Sequence, residues 1–238
     1  MMNFYRSINT IKALTFDLDD TLYDNSMIVE KAEEEMIKTL QGYEQLRTLT
    51  ISEYFAEKHA VLVSDPEIYH DVIVWRIQTI KSLLSKTNIP VQKFADVIDE
   101  SIACFNFWRH KIQVPESTHI LLSKLATKYP LAVITNGNVD VNQIGLGDYF
   151  QFSLRGGEHG RSKPFPEIFE LACHKLAIPS HHILHVGDNL LTDVNGAINN
   201  GFLACFINIY ERDILQLDDA RCVPHIEITQ LPELDNLL

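Results

Sequence analysis

Four segments far apart in the chain each set polar side chains at or after the end of an apolar run. They are LTFDLDDTLYD (Leu14 to Asp24), LAVITNGN (Leu131 to Asn138), GRSKPFPEIF (Gly160 to Phe169) and ILHVGDNLLTD (Ile183 to Asp193). In the first, Asp17 and Asp19 alternate by two, so both point to one face at a strand's end. Two carboxylates that close repel each other unless a cation or a proton intervenes. Asp17 could act as a nucleophile, and Asp19 as an acid that protonates a leaving oxygen and then, as a base, activates water. The pair taken alone also describes a solvated strand end with Asp20 capping a turn.

The other three segments supply what a phosphoryl group would need. Thr135 and Asn136 offer a hydroxyl and an amide that can donate to phosphate oxygens, and Gly137 permits a tight turn there. Lys163 precedes Pro164, which disfavours helix at the lysine and then suits a helix start. Its ammonium would lie at a helix N-terminus, an anion-friendly place, with Arg161 as the competitor for that role. Asp188 follows the run ILHVG, and Asp193 lies just inside the next helix. Hard oxygen ligands at a strand end suit Mg²⁺. Each segment also has an ordinary explanation: an everyday turn, a surface lysine, an N-capping aspartate.

What brings them together is the pattern of elements. Three of the segments follow β-branched or aromatic runs that read as buried strands. From about Val114-Pro115 onward strands alternate with helices: THILLSKLATKY, LAVIT, PEIFELACHKLA, ILHV, VNGAINNG, FLACFIN and PHIEI. That alternation implies right-handed crossovers and a parallel sheet, whose strand ends meet at one rim. Between about Asn25 and Ile112 there is no convincing strand, only helical patterns with apolar residues at three- and four-residue spacing. The predicted architecture is α/β: a doubly wound, Rossmann-like parallel sheet core over residues 1–22 and 114–238, with a helical cap domain, 23–113, inserted after the first strand.

With 238 residues the chain can bury a real core, and its formal charge of −12 argues against nucleic acid or an anionic membrane as the main partner. The same charge means that a phosphate substrate needs positive charge supplied locally, and a metal ion would do that. The widely spaced Cys104, Cys173, Cys205 and Cys222 read as reduced thiols. The N-terminal apolar stretch is too short for a signal peptide and no run approaches a membrane span, so the expected location is the cytoplasm.

The four segments, in this order, resemble the motifs of the haloacid dehalogenase superfamily in its phosphatase branch. The resemblance implies a phosphatase with Asp17 as the phosphorylated nucleophile and Asp19 as the acid/base. It implies further that Thr135 and Lys163 hold the transferring phosphate with Asn136 in support. Mg²⁺ would be held by Asp17, Asp188 and the backbone carbonyl of Asp19, with Asp193 orienting Lys163 or a metal-bound water. The stretches ALTFDLDDTLYDN, PEIYHDV, GLGDYF, HGRSKPF and LHVGDNLLTDVNGAI are also similar to bacterial flavin-pathway phosphatases. That similarity implies a small-molecule phosphate ester as partner, 5-amino-6-(5-phospho-D-ribitylamino)uracil or FMN. Phosphatases of sugar phosphates or nucleotides, a phosphomutase, and a dehalogenase are the alternatives on the same scaffold. A dehalogenase has no need of Asp19 or of a metal.

Outside the motifs, Tyr69, His70, Trp75, Phe105, Phe107 and Trp108 are aromatics at helical spacing, expected mainly as core of the helical insertion. His185 is expected to be a satisfied core histidine. The run Glu33-Glu34-Glu35 is expected to form a solvated helix face.

Overall fold

The runs ALTF, LAVIT, ILHVG and LACFI contain no Asp, Glu, Lys or Arg and are buried along their whole length. A strand without a solvated face must be covered on both sides, which a parallel sheet between helix layers provides. The computed structural model describes residues 2–217 and 220–238. In chain order it contains β1 (Asn3–Phe4), β2 (Ala13–Phe16), α1 (Ile28–Gln41), α2 (Ile51–Ser64), α3 (Val72–Ser85), α4 (Phe94–Arg109) and α5 (Glu116–Ala126). There follow β3 (Leu131–Thr135), β4 (Ser153–Arg155), α6 (Pro166–Leu176), β5 (Ile183–Gly187), α7 (Gly196–Asn199), β6 (Leu203–Ile207) and β7 (Ile226–Ile228).

The strands form one sheet in the order β1-β7-β6-β5-β2-β3-β4. All neighbours pair in parallel except β1, which adds antiparallel to β7. The strand order turns at β2, with β3 and β4 to one side and β5, β6 and β7 to the other. A doubly wound sheet opens its crevice at such a switch point, outside the carboxyl ends of the strands. Ile168, Phe169 and Ala172 of α6 pack with Ala13, Ile134, Ile183, Ala204 and Phe206 from the strands, so the helix that follows Lys163 is seated on the sheet by its apolar face.

Two short strands, β1 and β4, go beyond what the periodicity revealed, because two or three residues carry no alternation to read. Two helical expectations are also refined. The stretch from Pro66 through Leu84 is a 3₁₀ turn, Pro66–His70, followed by α3. The break falls at Asp71, whose carboxylate caps α3 by accepting from the backbone of Ile73 (3.0 Å) and Val74 (2.9 Å). The segment before Gly201 is a π-helical turn, Leu190–Asn195, running into the short α7. None of the described helices is long and apolar enough to cross a membrane.

The chain forms two compact units, Met1–Asp24 with Gln113–Leu238, and Asn25–Ile112. The second is a four-helix unit whose core includes Met36, Ile37, Leu40, Tyr54, Ile80, Leu84, Val97 and Phe105. Of its aromatics, Phe105 and His70 are buried, Trp75 and Trp108 half-buried, and Tyr69 and Phe107 exposed. The expectation of a solvated Glu33 is overturned. Glu33 shares a helix face with Met36, Ile37 and Leu40, at three-, four- and seven-residue spacing, and is only 4% exposed. Its Oε1 accepts from Arg76 Nη2 (2.6 Å) and Lys58 Nζ (3.1 Å), and the Arg76 guanidinium lies 3.6 Å from the centre of the Phe105 ring. Glu34 and Glu35 sit on the outer side with Lys31 and Lys38.

Burial alone would push the Glu33 pKa up, but Arg76 and Lys58 outweigh it and hold the carboxyl below its usual range. A depressed carboxyl contributes stability that is complete above its unfolded value, about 4.3, and is lost as pH falls through the lower folded value. The helical unit is therefore expected to lose melting temperature as pH drops below about 4.3. Glu33→Gln should flatten that slope while lowering the melting temperature at pH 7. Tryptophan fluorescence reads this unit selectively, since both tryptophans, Trp75 and Trp108, belong to it. An unchanged acid slope in Glu33→Gln would contradict the assignment.

Candidate active site

The register of the three central strands sets the site. Phe16 pairs with Val133 and with Val186, so Asp17, Thr135 and Asp188 all emerge at the same end of adjacent strands. The Asp17 amide still donates to the Val186 carbonyl (2.9 Å), which fixes its backbone at the sheet's rim. Beyond it the chain turns sharply: the Leu18 carbonyl accepts from Thr21 (3.3 Å) and Leu22 (2.9 Å), and Asp20 adopts φ +57°. Aspartate tolerates that left-handed conformation better than most residues. The turn brings the Thr21 hydroxyl to Asp188 Oδ1 (3.1 Å) and the Tyr23 hydroxyl to Asp19 Oδ1 (2.8 Å).

A cavity of about 260 Å³ opens here, lined by Asp17, Asp19, Asp20, Thr135, Asn136, Gly137, Lys163, Asp188, Asn189 and Thr192. The structure thus gathers Asp17, Asp19, Thr135, Asn136, Lys163 and Asp188 from four separate segments around one space, with Asp193 directly behind. Lys163 is no surface lysine. Its ammonium is buried between Asp17 Oδ1 (2.7 Å) and Asp193 Oδ1 (2.6 Å). Arg161, its competitor, is exposed, paired with Glu167 (2.5 Å) and stacked over Phe165.

Asn136 has another employment than the sequence suggested. Its Oδ1 accepts from the Lys163 amide (2.7 Å) and its Nδ2 donates to the Lys163 carbonyl (3.0 Å), so both ends of its carboxamide grip the lysine's backbone. The Thr135 hydroxyl accepts from the Gly137 amide (3.1 Å), leaving its own proton to donate elsewhere.

Asp193 is held by three donors. Besides Lys163, its Oδ1 takes His185 Nε2 (3.1 Å), and its Oδ2 takes the Asn189 amide (3.0 Å). Sequence reasoning placed neither His185 nor Asn189 in the site. A signal existed for Asn189, an N-cap residue whose side chain accepts from Leu191 and Thr192 at the start of the π turn.

The two carboxylates that share Lys163 differ sharply. Burial would push Asp193 up, but the ammonium and the His185 contact outweigh it and hold it well below the carboxylate range. Asp17 has only Lys163 to oppose burial and the charges of Asp193 and Asp19, and is pushed up to about 7. Burial, with the charge of Asp193, pushes Asp188 up to about 6. Lys163 itself would be lowered by burial, but its two carboxylates raise it.

Carboxylate oxygens of Asp17, Asp188 and Asp193 lie within 4.8 Å of one another. All are hard donors, and one ammonium faces a surplus of negative charge, which is the donor set and the charge deficit that a small divalent cation suits. Asp193 is already occupied by its three donors, so Asp17 and Asp188 are the carboxylates with capacity for such an ion. Asp19 stands outside that oxygen cluster, its side chain bonded by Tyr23.

Comparisons with known proteins show what the chain as a whole is similar to. The family of haloacid dehalogenase-like hydrolases matches residues 11–201. The chain is 44% identical over 238 residues, all of both proteins, to the 5-amino-6-(5-phospho-D-ribitylamino)uracil phosphatase YigB of Escherichia coli (strain K12). It is 25% identical over 260 residues, covering 97% of this chain and 95% of the other, to the N-acylneuraminate-9-phosphatase of Homo sapiens. The solved structure of a 2-haloacid dehalogenase from Pseudomonas syringae pv. Tomato DC3000 superposes with a TM-score of 0.89 at 30% identity, covering 96% of this chain and 98% of that one. A sheet turned at β2, carboxylates at its rim and a family match across most of the chain lead to one conclusion: the chain belongs to the haloacid dehalogenase-like hydrolases.

Proposed function

We propose that the protein is a Mg²⁺-dependent phosphatase of small-molecule phosphate monoesters, working through an aspartyl-phosphate on Asp17. The observation that carries this reading is the single ammonium of Lys163 bonded to Asp17 beside a cavity ringed by oxygen donors. An Asp17 oxygen forms a bond to phosphorus as the ester oxygen leaves. Asp19, oriented by Tyr23, gives that oxygen its proton. As a carboxylate, Asp19 then takes a proton from the water that attacks phosphorus, which frees phosphate and regenerates Asp17. Lys163 and the Thr135 hydroxyl hold phosphate oxygens, and Asn136 keeps Lys163 in place. Positioning and charge neutralisation provide most of the rate in such transfers. Asp17, Asp188 and the Asp19 carbonyl would hold Mg²⁺, which supplies charge neutralisation and keeps Asp17 ionised.

The substrate is proposed from the relative identical at 44% over its whole length: 5-amino-6-(5-phospho-D-ribitylamino)uracil, with FMN as a chemically related ester. The residues named above handle only the phosphate, so discrimination must lie elsewhere, and the inserted helical unit is the proposed place.

Removal of divalent ions by a chelator is expected to stop hydrolysis of an aryl phosphate. Mg²⁺ should restore it, and Ca²⁺, with longer bonds and looser geometry, should do so poorly. Full activity in excess chelator would overturn the metal assignment. On a panel of phosphates, kcat/KM should favour ribityl esters that carry a heteroaromatic ring over plain sugar phosphates. Equal rates would remove the flavin-pathway substrate and leave the phosphatase. The dehalogenase name of the related solved structure supports a second reading, release of halide from a 2-haloacid. Halide release without phosphate release would establish it.

A further inference from the structure

One layer beneath the cavity, Thr15 and His185 are register partners on β2 and β5. Each lies two residues before a rim position, Asp17 and Gly187, so all four share one face of the sheet. The imidazole is fully enclosed. Its Nδ1 lies 2.9 Å from Thr15 Oγ1, its Nε2 lies 3.1 Å from Asp193 Oδ1, and its ring meets Phe169 edge-on at 5.6 Å. An ionised carboxylate can only accept, so Nε2 carries the proton there. Nδ1 of the neutral ring then accepts from the Thr15 hydroxyl. Burial works in the same direction, since it disfavours the imidazolium.

The oxygen that His185 touches is the one that holds Lys163. Asp193 Oδ1 thus takes two donors while Oδ2 takes the Asn189 amide, which fixes the rotation of the carboxylate about its own bond. The backbone leaves room for it: a Cβ on Gly187 would stand 2.3 Å from the Asp193 carboxyl carbon. A continuous line of contacts runs Thr15, His185, Asp193, Lys163, Asp17. Packing alone does not ask for histidine here, because a leucine would fill much of the same volume between Phe169 and the strands.

We propose that His185 is a positioning residue for the reaction. By donating from Nε2 to the Asp193 oxygen that anchors Lys163, it aims the ammonium at Asp17 and the phosphate, with Thr15 selecting the tautomer. The inference rests on the reading of Lys163 as the phosphate-holding cation.

The test combines kinetics with a measurement that needs no turnover. With p-nitrophenyl phosphate as substrate, His185→Leu should lower kcat/KM by about 10- to 100-fold, the range that a misplacement within 1 Å produces. Inorganic phosphate should also become a weaker competitive inhibitor. His185→Gln, whose amide nitrogen stands where Nε2 does, should recover most of the loss. His185→Asn, whose amide lies on the Nδ1 side, should not, and it stands in for the leucine variant if that fails to fold. In an Asp193→Asn background His185→Leu should change kcat/KM by no more than about two-fold, since a residue acting through Asp193 has nothing left to act on. Wild-type activity in His185→Leu, equal damage from Gln and Asn, or losses that multiply with Asp193→Asn would each overturn the proposal. The ¹⁵N shifts of the His185 ring should show a protonated Nε2 and a bare Nδ1, and the opposite tautomer would overturn it too. A wild-type protein that releases no phosphate would defeat the phosphatase reading, and the ring shifts would then still decide the hydrogen-bond arrangement.

Discussion

Asp17→Asn is expected to abolish phosphate release, with a loss on the order of 10⁴-fold or more in kcat, as removal of a covalent nucleophile produces elsewhere. The asparagine keeps the shape of the side chain, and its amide oxygen can still accept from Lys163 Nζ at the position Asp17 Oδ1 now holds. The fold should therefore persist, and circular dichroism and melting temperature should match the wild type closely. What disappears is the anionic oxygen that bonds to phosphorus. Asp19→Asn separates the two carboxylates by magnitude, since loss of a general acid and base costs on the order of 10²- to 10⁴-fold. With an activated aryl phosphate the Asp19 loss should shrink for the first half of the reaction, because that leaving group needs little protonation, and phosphorylated protein should accumulate. Intact mass spectrometry detects it. An Asp17→Asn variant with full activity would end the covalent mechanism.

Much of this was legible in the residues. The central strands announced themselves because they are buried on both faces and so lack charge over their whole length. The positions of Asp17, Thr135 and Asp188 then follow, since strands of one parallel sheet end together. The partnerships behind the rim were not legible. Whether His185 is a core histidine or part of the site depends on its standing opposite Thr15, and register between β2 and β5 belongs to the sheet rather than to either strand. The same holds for Asn136: a Thr-Asn-Gly turn offers an amide, but only the path of the chain around Lys163 decides that the amide holds a backbone. Glu33 is a different case. Its spacing to Met36, Ile37 and Leu40 places it on the buried face, and the two neighbouring glutamates hid that by making the run look like a charged surface. Buried Arg76 and half-buried Lys58 are the partners such a position requires, and both lie on other helices, α3 and α2.

Lys163→Met is expected to damage stability and activity together, and by separable routes. The lysine side chain is 1% exposed and is the only cation within salt-bridge distance of Asp17 and Asp193 among the described residues apart from His185, whose charged form burial disfavours. Methionine fills the channel but leaves Asp193 ionised and deeply buried with two donors in place of three. Breaking a buried pair in this way costs about 3–5 kcal/mol. Asp17 can relieve its own share by taking up a proton, because burial already favours its neutral form. The cost should therefore come mainly from Asp193. Lys163→Met combined with Asp193→Asn removes the stranded charge and should regain a large part of the lost stability, while turnover stays absent because no ammonium faces the phosphate. Both tryptophans lie in the helical unit, so the core is better followed by hydrogen exchange of the β2 and β5 amides than by fluorescence. Lys163→Arg tests shape against charge: a planar fork with five donors replaces a point charge in a slot built for two close contacts, and it should not restore turnover. A Lys163→Met protein with wild-type protection of β2 and β5 would mean that Asp193 is neutral in the folded state. A Lys163→Met/Asp193→Asn protein no more stable than the single variant would mean that the stranded charge is not the source of the cost.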